Sequence, residues 1–381
     1  MLDLDSVKRN PMFPYLVVLT IASTVGLQTW STLFNNFAVD VAGLGGREVG
    51  MIQSIREIPG FLALLAVFVI RWVPEHRLSA LSILLLGAGL AATGFFPSFA
   101  GIALTTLASS FGFHYYETTN MSLTLQYFKK HESPWVFARL TSLAAATSIG
   151  IGLAIWLMMT FLRFEQTYLL VGSLIAAAGL WALTRDPSDP QALPQRKQMV
   201  LRRRYWLFYF LTFMAGARRQ IFIAFSVLLL VQKFQYTVQE VTFLFVINNS
   251  INYFLSPVVG RCILRFGERK VLSLEYASVI FLFTAYATTD SKLLVALIYV
   301  LDQVFFTFAI AIRTYFQKVA DPRDIAPSMA VGFTINHVAA VFLPAIGGLV
   351  WMIDYRIPFF AGAVMGIVSL LAVQKIQTPR H

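Results

Sequence analysis

Residues 259–272 read VGRCILRFGERKVL, and the apolar runs on either side of this stretch decide the fold class. The runs 238–264 and 271–289 are joined by a short segment that starts at Gly260 and carries Gly267. Glycine permits a tight reversal and a close approach of two helices. The segment also holds four basic residues, Arg261, Arg265, Arg269 and Lys270. Basic loops are typical of the cytoplasmic side of a membrane protein, so the stretch predicts an inner loop between two spans.

The composition excludes an ordinary soluble protein. The 381 residues are 57% hydrophobic, 13% are charged, and the mean hydropathy is +0.68. Average soluble chains are roughly 25% charged. A spanning helix takes about 20 apolar residues. Twelve spans are therefore predicted, at 13–38, 48–70, 78–96, 99–128, 135–161, 164–184, 204–232, 238–264, 271–289, 293–317, 325–351 and 357–375. The N-terminal sequence lacks the pattern of a cleavable signal peptide, and the single cysteine, Cys262, allows no internal disulfide.

The basic residues predict the orientation of these spans. With a cytoplasmic N-terminus, twenty of the thirty Lys and Arg residues fall in inner segments and five in outer segments. The outer five are Arg47, Arg163, Lys233, Lys292 and Arg356. This bias agrees with the positive-inside rule and places both termini in the cytoplasm. Topology thus explains the net charge of +11, and no nucleic-acid partner is expected.

The first and second halves of the chain show an internal sequence repeat. Glu48 and Glu240 are 192 residues apart, and each opens the helix that follows. Arg77 and Arg269, also 192 apart, lie in equivalent loops. Such a shift in a chain of this length indicates two halves of one architecture. The predicted division is an N-terminal six-helix half at 1–184, a Pro- and Arg-rich cytoplasmic linker at 185–203, and a C-terminal six-helix half at 204–381.

The pattern G-R-x-x-x-R-x-G-x-R-K over 260–270 resembles the loop signature of the major facilitator superfamily (MFS), between the second and third helices of a half. The acidic residue usual in that loop is absent, since Leu264 and Arg265 stand near its place. The segment 332–348, GFTINHVAAVFLPAIGG, is similar to the family's fifth helix of a half. The resemblance implies an all-α polytopic membrane protein of twelve helices in two pseudo-symmetric halves. It also implies a midplane solute site lined by the first and fourth helices of each half.

Polar residues follow one face of the first span. Thr20, Thr24, Gln28, Ser31 and Asn35 are spaced by three or four positions, which places them on one helical stripe. Gln28 and Asn35 are the substrate-binding candidates in this stripe. The alternative interpretation is hydrogen bonding between packed helices.

The fourth span carries two titratable residues near mid-membrane. His114 and Glu117 are three positions apart and share a helical face. Intramembrane ionisable groups are costly and usually functional. Both residues are therefore predicted to bind substrate and to couple transport to protons, with a static locking pair as the alternative. A metal site needs more ligands than this pair offers, so no metal is predicted.

The seventh and tenth spans hold further charges. Arg218 and Arg219 point about 100° apart, so only one of them faces a cavity squarely. Arginine suits a carboxylate or phosphate on a solute; the alternative is a structural pair with Glu117 or Asp302. In the tenth span, Asp302 and Gln303 are substrate-binding candidates, and Asp302 is a second proton-coupling candidate.

A third group of residues is assigned to gating. Arg56 and Glu57 lie mid-span before Pro59 and Gly60, where an ion pair would sit beside a helix-bending point. Arg313 lies near the inner end of the tenth span, where snorkelling or a gate contact is expected. The predicted gating residues are Arg56, Glu57, Gly260, Arg261, Gly267, Arg269 and Arg313.

The sequence therefore predicts a secondary active transporter of a small organic solute, and the arginines favour an anionic or zwitterionic one. The alternative in the same class is proton-driven efflux of amphiphilic or cationic compounds; a remote one is a receptor or assembly factor without transport. No nucleotide loop or hydrolase motif is present in the sequence, so neither an enzyme nor a cofactor is expected. The expected setting is a monomer in the lipids of a bacterial inner membrane, with protons and a small-molecule substrate as partners.

Overall fold

The computed structural model describes residues 4–44, 46–189, 195, 198–236, 238–351 and 353–377. Sixteen α-helices occur in this described part: α1 Leu4–Arg9, α2 Met12–Asn36, α3 Gly46–Phe61, α4 Ala66–Val69, α5 Glu75–Thr93, α6 Phe99–Tyr127, α7 Ser133–Met158, α8 Phe164–Leu183, α9 Trp206–Ile221, α10 Val227–Gln232, α11 Val238–Phe266, α12 Glu268–Thr288, α13 Lys292–Phe306, α14 Ile310–Val319, α15 Ile325–Trp351 and α16 Arg356–Val373. The predicted linker 185–203 lies only partly within the described residues.

Each of the twelve predicted spans coincides with one helix or with a nearly continuous helical run. The second, seventh and tenth spans are composite: α3–α4, α9–α10 and α13–α14 are each joined by a short 3-10 or π segment. In the described part of the chain, nine helices are long and apolar enough to cross a membrane. Of the twelve helical runs that match predicted spans, α6, α9–α10 and α15 are outside this set. The fold is all-α and polytopic, as predicted.

The loop predicted from Gly260 onward is much shorter than expected. Helix α11 continues through Phe266, and α12 begins at Glu268, so Gly267 alone separates them. Gly267 has a φ of +80°, a conformation that glycine adopts without a steric penalty. Gly260 lies inside α11, where a Cβ would press on Pro134 and Ala138. The prediction that the reversal starts at Gly260 is therefore wrong, because the helix keeps its backbone hydrogen bonds until Gly267.

The repeat inferred from the sequence extends to helix caps and helix irregularities. Ser98 and Ser291 each accept a hydrogen bond from the backbone N–H three residues later, and so cap α6 and α13. The first helical run of each predicted half also contains a π segment, Phe37–Val41 in one and Phe222–Ser226 in the other. Glu48 and Glu240 lie in the first turns of α3 and α11, as expected.

The chain divides into two compact units. The first comprises Met1–Lys129, Leu143–Val200 and Pro322–Thr334, and the second comprises Lys130–Ser142, Leu201–Asp321 and Ile335–His381. The first part of α7 thus belongs to the second unit and the first part of α15 to the first unit, which a single boundary at 185–203 would not give. The division into halves at that linker stays a prediction.

The first unit packs α5 closely against α8 and α6. Gly87 and Gly172 mark the α5–α8 contact, because a Cβ at either position would collide with backbone atoms of the facing helix. Gly112 of α6 meets the backbone of α5 in the same way. Small residues therefore allow these helices to touch backbone to backbone.

The second unit packs α12 against α16 and α13 through larger side chains. Phe283 and Tyr286 of α12 are fully buried against Phe359 of α16, and Tyr286 stacks on Phe359 with ring centroids 5.0 Å apart. Tyr299 of α13 is buried in the same cluster and stacks on Phe222. An aromatic core thus holds together the C-terminal part of α12, the N-terminal part of α13 and the start of α16.

Candidate functional site

In the first unit, Arg56 and Glu57 form an ion pair at the middle of the α3–α4 run. Their closest atoms are 2.7 Å apart, and each side chain is 27% exposed. The Arg56 guanidinium also lies 4.6 Å from the ring centroid of Trp30 in α2. Trp30 is fixed in turn, since its Nε1–H donates to Thr106 Oγ1 of α6 at 3.1 Å. The pair is therefore held on an aromatic platform while part of each charged group stays accessible.

His114 of α6 belongs to the same cluster. It is buried, and its Nδ1 lies 2.9 Å from both the hydroxyl and the backbone carbonyl of Ser110. The Ser110 hydroxyl also donates to the backbone carbonyl of Arg56. A ring nitrogen of His114 and a carboxylate oxygen of Glu57 lie within 4.8 Å of each other. We call Trp30, Arg56, Glu57, Ser110 and His114 the first charge cluster.

In the second unit, Arg218 of α9 forms an ion pair with Glu275 of α12. The closest nitrogen and oxygen are 2.7 Å apart, and the side chains are 4% and 0% exposed. The contact lacks aligned hydrogen-bond geometry, so its attraction is mainly Coulombic. Arg218 also lies over the ring of Phe306, at 5.3 Å. Glu117 and Asp302 were the predicted partners if an arginine of this span formed a structural pair; the ion pair of Arg218 is with Glu275.

Asp302 of α13 completes a group that we call the second charge cluster, Arg218, Glu275 and Asp302. Its side chain is buried and interacts electrostatically with both Arg218 and Glu275. Its Oδ2 is buried, and no group in the described part of the chain donates a hydrogen bond to it. Buried carboxylates are normally paired or hydrogen-bonded, so this oxygen is costly if it carries charge.

The other predicted substrate-binding residues are more open. Gln28 is half-buried and donates to Thr32 on its own helix at 3.2 Å, and Asn35 is exposed. Glu117, Arg219 and Gln303 are half-buried. Within the predicted stripe of α2, Thr20 is buried and hydrogen-bonded to Tyr116 at 2.8 Å, which fits the packing interpretation for that residue. The roles predicted for these residues stay predictions.

The predicted gating residues near Gly267 are spread over several contacts. Arg261 is exposed, and Arg269 donates two hydrogen bonds to Gln374 Oε1 at 3.2 and 3.1 Å. Arg313 of α14 is half-buried and lies over the ring of Phe137 at 5.5 Å. Neither the contact of Arg269 nor that of Arg313 brings these residues together as one cluster.

Two buried carboxylates that the sequence analysis passed over lie beside the short loops that precede α5 and α12. Glu268, the first residue of α12, pairs with Lys318 of α14 at 2.8 Å and is fully buried. Glu75, the first residue of α5, accepts a hydrogen bond from Gln126 of α6 at 2.7 Å. The two acids and their two partners are 193 and 192 residues apart, so the contact is itself repeated. Glu268 thus supplies a buried acid next to the loop in which the family's usual acidic residue is absent.

A further cluster lies at the ends of α10, α12 and α16 in the second unit. The Lys233 ammonium contacts Asp290 at 2.8 Å, the Thr289 carbonyl at 2.8 Å and the Tyr355 hydroxyl at 2.6 Å. The hydrogen bond from Lys233 and its positive charge lower the pKa of Asp290. For Lys233 itself, partial burial opposes the charge, but the hydrogen bonds with Asp290 and Tyr355 outweigh it and raise the pKa.

Glu275 is the most informative residue that the sequence analysis missed. It lies within the apolar run predicted at 271–289, as the fifth residue of that run. A lone carboxylate in such a run costs at least about 2.5 kcal/mol in a membrane unless it is paired or neutralised. That cost was a signal for a buried partner. Its identity depends on how α9 and α12 face each other, which the sequence pattern does not fix.

A family model described as Major Facilitator Superfamily matches residues 16–311 of the chain. No curated protein matches the chain in sequence. The family match covers most of the chain and includes the residues of both charge clusters.

Solved structures with the same fold cover nearly the whole chain. The human organic anion transporter MFSD10 (TETRAN) is 10% identical, with a TM-score of 0.78, over 96% of this chain and 99% of that one. A bacterial homologue of the iron transporter ferroportin, in an outward-facing state, is 14% identical, with a TM-score of 0.78, over 95% and 98%. The E. coli fucose:proton symporter FucP is 11% identical, with a TM-score of 0.79, over 97% and 100%. At these identities the likeness is one of fold.

Proposed function

The chain belongs to the major facilitator superfamily, and from this premise we propose that it is a secondary active transporter of a small organic solute, driven by protons. In this mechanism a midplane site is exposed alternately to each side of the membrane. The proposed setting is the inner membrane of a bacterium, with both termini cytoplasmic and the protein acting as a monomer without a cofactor. An anionic or zwitterionic solute is favoured.

The observation that carries this proposal is the accessible ion pair of the first charge cluster. Arg56 and Glu57 each keep 27% of the side chain exposed at the middle of a helical run. Charged groups exposed to lipid at that depth are strongly disfavoured, so the exposed fraction favours a water-filled space. A guanidinium binds carboxylates and phosphates, and a carboxylate binds ammonium groups. An adjacent Arg–Glu pair on an aromatic platform therefore offers both halves of a zwitterion a partner.

The second cluster supports a different role for Arg218. Its charge is already opposed by Glu275, and its side chain is almost fully buried. A solute anion would have to displace Glu275 to reach it. We therefore assign solute contact to Arg56 and Arg219, with Gln28, Asn35 and Gln303 as additional candidates, and assign Arg218 to the buried charge cluster.

Proton coupling is proposed for His114, Glu117 and Asp302. The histidine lies beside the Arg56–Glu57 pair, so a change in its charge would act directly on that pair. Asp302 interacts electrostatically with Arg218 and Glu275, so its protonation state acts on the second cluster in the same way. Gating remains assigned to Gly260, Arg261, Gly267, Arg269 and Arg313, with Arg56 and Glu57 serving both roles.

The alternative function is proton-driven export of amphiphilic or cationic compounds. The aromatic surface of the first cluster favours it, because Trp30 stacks on Phe34 with ring centroids 4.4 Å apart. The structural neighbours include an organic anion transporter and a fucose:proton symporter, which differ in solute charge and give no preference. A receptor or assembly factor without transport is the remote alternative.

Ligand-dependent thermal unfolding of the purified protein tests the proposal. Organic anions, zwitterions and lipophilic cations are screened at pH 5.5 and pH 8 against wild type, Arg56→Gln, Arg219→Gln and Glu117→Gln. A ligand that binds only the folded state raises the apparent stability. We expect anions or zwitterions to stabilise the wild type and to lose this effect in Arg56→Gln.

Arg9→Gln is the matched control, because Arg9 is an exposed arginine in the terminal helix α1. Stabilisation by lipophilic cations alone, unchanged in Arg56→Gln, would transfer the proposal to the export alternative. If no compound class shifts unfolding, and liposomes containing the protein take up none of them, the function without transport gains instead.

A further inference from the structure

The second charge cluster contains more acid than base. Arg218 supplies one fixed positive charge, while Glu275 and Asp302 each supply a carboxyl group. All three side chains are buried, and the Glu275 side chain is 0% exposed. With both carboxyls ionised, the cluster would carry a net negative charge inside the helices.

Among the residues that the structure describes, Arg218 is the cation that acts on Glu275 and on Asp302. The titratable groups that act on the two carboxyls are Arg218 from α9, Tyr276 and Tyr286 from α12, and Tyr299 from α13. Tyrosine hydroxyls are neutral near pH 7. The adjacent Arg219 projects from another face of α9 and is only half-buried.

Two like charges in a buried site are not both retained when a proton can neutralise one of them. We propose that Arg218, Glu275 and Asp302 form a one-proton site, in which Arg218 neutralises one carboxylate and a single proton, shared between Glu275 and Asp302, neutralises the other. Binding is a simple transfer: a carboxylate oxygen accepts one proton from a hydronium ion of the aqueous phase, a water molecule is released, and the carboxylate becomes a neutral acid. The net charge of the cluster then rises from negative to zero, and no other reactant is needed.

The buried Asp302 Oδ2, which accepts no hydrogen bond from the described residues, marks where the proton is needed most. A protonated oxygen is a donor as well as an acceptor, so it no longer carries an uncompensated charge. Because the two carboxyls share one arginine, their titration belongs to the cluster and not to either residue alone. Glu275 thus becomes a participant in proton binding, although its direct contact is an ion pair.

The inference deepens the proposed function and rests on it only for the link between proton binding and solute movement. Proton binding itself is measured without solute. The infrared C=O stretch of a protonated carboxylic acid, compared in H₂O and D₂O, reports buried neutral acids. Charge balance makes a specific forecast for each variant relative to wild type.

Asp302→Asn leaves Arg218 balanced by Glu275 and is expected to lose one acid band. Glu275→Gln leaves Arg218 balanced by Asp302 and is expected to lose one band as well, although the residue removed is the one in the ion pair. Arg218→Gln leaves two carboxyls without a cation and is expected to gain one band. Glu268→Gln, which alters a buried carboxylate already paired with Lys318, is the control and is expected to match wild type.

Circular dichroism and gel filtration confirm that each variant is folded. If Arg218→Gln does not fold, the two carboxyl variants decide the question alone. An unchanged spectrum in both of them overturns the one-proton site. Loss of the band in Asp302→Asn but not in Glu275→Gln overturns the sharing between the two carboxyls.

A band that disappears when sodium replaces choline overturns the proton assignment in favour of a metal cation. Solute-driven proton movement in liposomes is measured separately on the same preparations. If the variants show the expected band changes but solute drives no proton movement, the coupled function is rejected and the proton site is kept. If solute drives proton movement but no variant changes the bands, the coupled function is kept and the proton site is rejected.

Discussion

The two units each hold an arginine–glutamate pair with the same 2.7 Å separation, yet the two pairs differ in exposure and in the helices that supply them. Arg56 and Glu57 are neighbours in sequence on one helix, and both remain partly exposed. Arg218 and Glu275 come from α9 and α12 and are sealed. An exposed pair is separated at little cost, since its median value is about 0–1 kcal/mol. Breaking a buried pair leaves an uncompensated charge and costs about 3–5 kcal/mol. The difference fits our proposal that the first pair exchanges partners with a solute, whereas the second pair links α9 to α12.

A second comparison concerns the carboxylates that open α5 and α12. Glu268 is opposed by the ammonium group of Lys318, whereas Glu75 is opposed by the neutral amide of Gln126. The positions are equivalent in the repeat, so the same architecture carries an ion pair in one unit and a neutral donor in the other. Both acids keep a side-chain partner, but the partner is charged for Glu268 and neutral for Glu75. Comparing the two sites therefore distinguishes what the contact contributes from what the charge of the partner contributes.

The largest expected effect comes from breaking the sealed pair. Arg218→Ala is expected to lower the free energy of unfolding by about 3–5 kcal/mol, because Glu275 loses its counter-charge in a buried site. Arg56→Ala is expected to cost about 1 kcal/mol or less for the ion pair, with a similar amount for the contact with Trp30. Both are measured by denaturant unfolding in detergent at pH 8.

The double variant Arg218→Met with Glu275→Leu is the control for this prediction. It removes both charges with side chains that suit an apolar site, so it is expected to recover most of the loss. Equal destabilisation by Arg218→Ala and Arg56→Ala would remove the distinction between a sealed and an accessible pair.

The second-largest change in stability is expected when the partners of Glu75 and Glu268, the first residues of α5 and α12, are exchanged. Lys318→Gln gives Glu268 the partner type that Glu75 has, and it leaves a buried carboxylate without its cation. We expect a loss of about 1–3 kcal/mol in the free energy of unfolding. Gln126→Lys makes the reverse change and is expected to be neutral or stabilising. Thermal unfolding of both variants decides this, and an unchanged stability of Lys318→Gln would mean that the charge of Lys318 adds nothing to the contact with Glu268.

The sequence predicted the helices well because hydrophobic length is a local property. All twelve predicted spans correspond to helical runs, and the bounds of 325–351 agree to the residue. It also singled out Arg218 and Asp302, since a charge in an apolar run stands out without any structure. The repeat at 192 residues was visible because Glu48 and Glu240 open equivalent helices.

The sequence could not predict which charges meet. The pairing of Arg218 with Glu275 depends on the rotation of α9 and α12 about their axes, and a turn of one residue moves a side chain by about 100°. Gly260 was misplaced for a related reason: a glycine at a tight helix contact and a glycine in a turn look alike in sequence. Only the positive φ of Gly267 distinguishes the two.

The helix contacts of the two units also differ: Gly87 in the first unit faces backbone atoms, whereas Gly366 in the second unit faces a side chain. This difference gives a third prediction. Gly87→Ala places a methyl group against the backbone of α8, which cannot move without shifting the helix. Gly366→Ala places it near the side chain of Ile280, which can rotate. Overpacking costs typically 1–3 kcal/mol, so about that loss is expected for Gly87→Ala and a smaller one for Gly366→Ala. The thermal unfolding midpoints compare them, and the opposite order would refute the backbone-contact account of α5 and α8.

The smallest expected effect is a pH-dependent change in stability at the loop before α13, which is charged, whereas the loop before α6 is not. Residues 94–98 read GFFPS and carry no charge, whereas Asp290 precedes α13 and pairs with Lys233. The hydrogen bond and charge of Lys233 lower the pKa of Asp290 in the folded state. A carboxyl with a lowered folded pKa stabilises the fold above its unfolded pKa of about 3.9, and this contribution is lost as the pH falls through the folded pKa.

The stability difference between wild type and Asp290→Asn should therefore be present above about pH 5 and vanish in stronger acid. Because Asp290 is exposed, salt should reduce the difference. In a Lys233→Met background Asp290→Asn should lose most of its effect, because only the weaker influence of Arg356 on the pKa of Asp290 remains. If Asp290→Asn keeps its full effect there, Lys233 is not the cause of the shift.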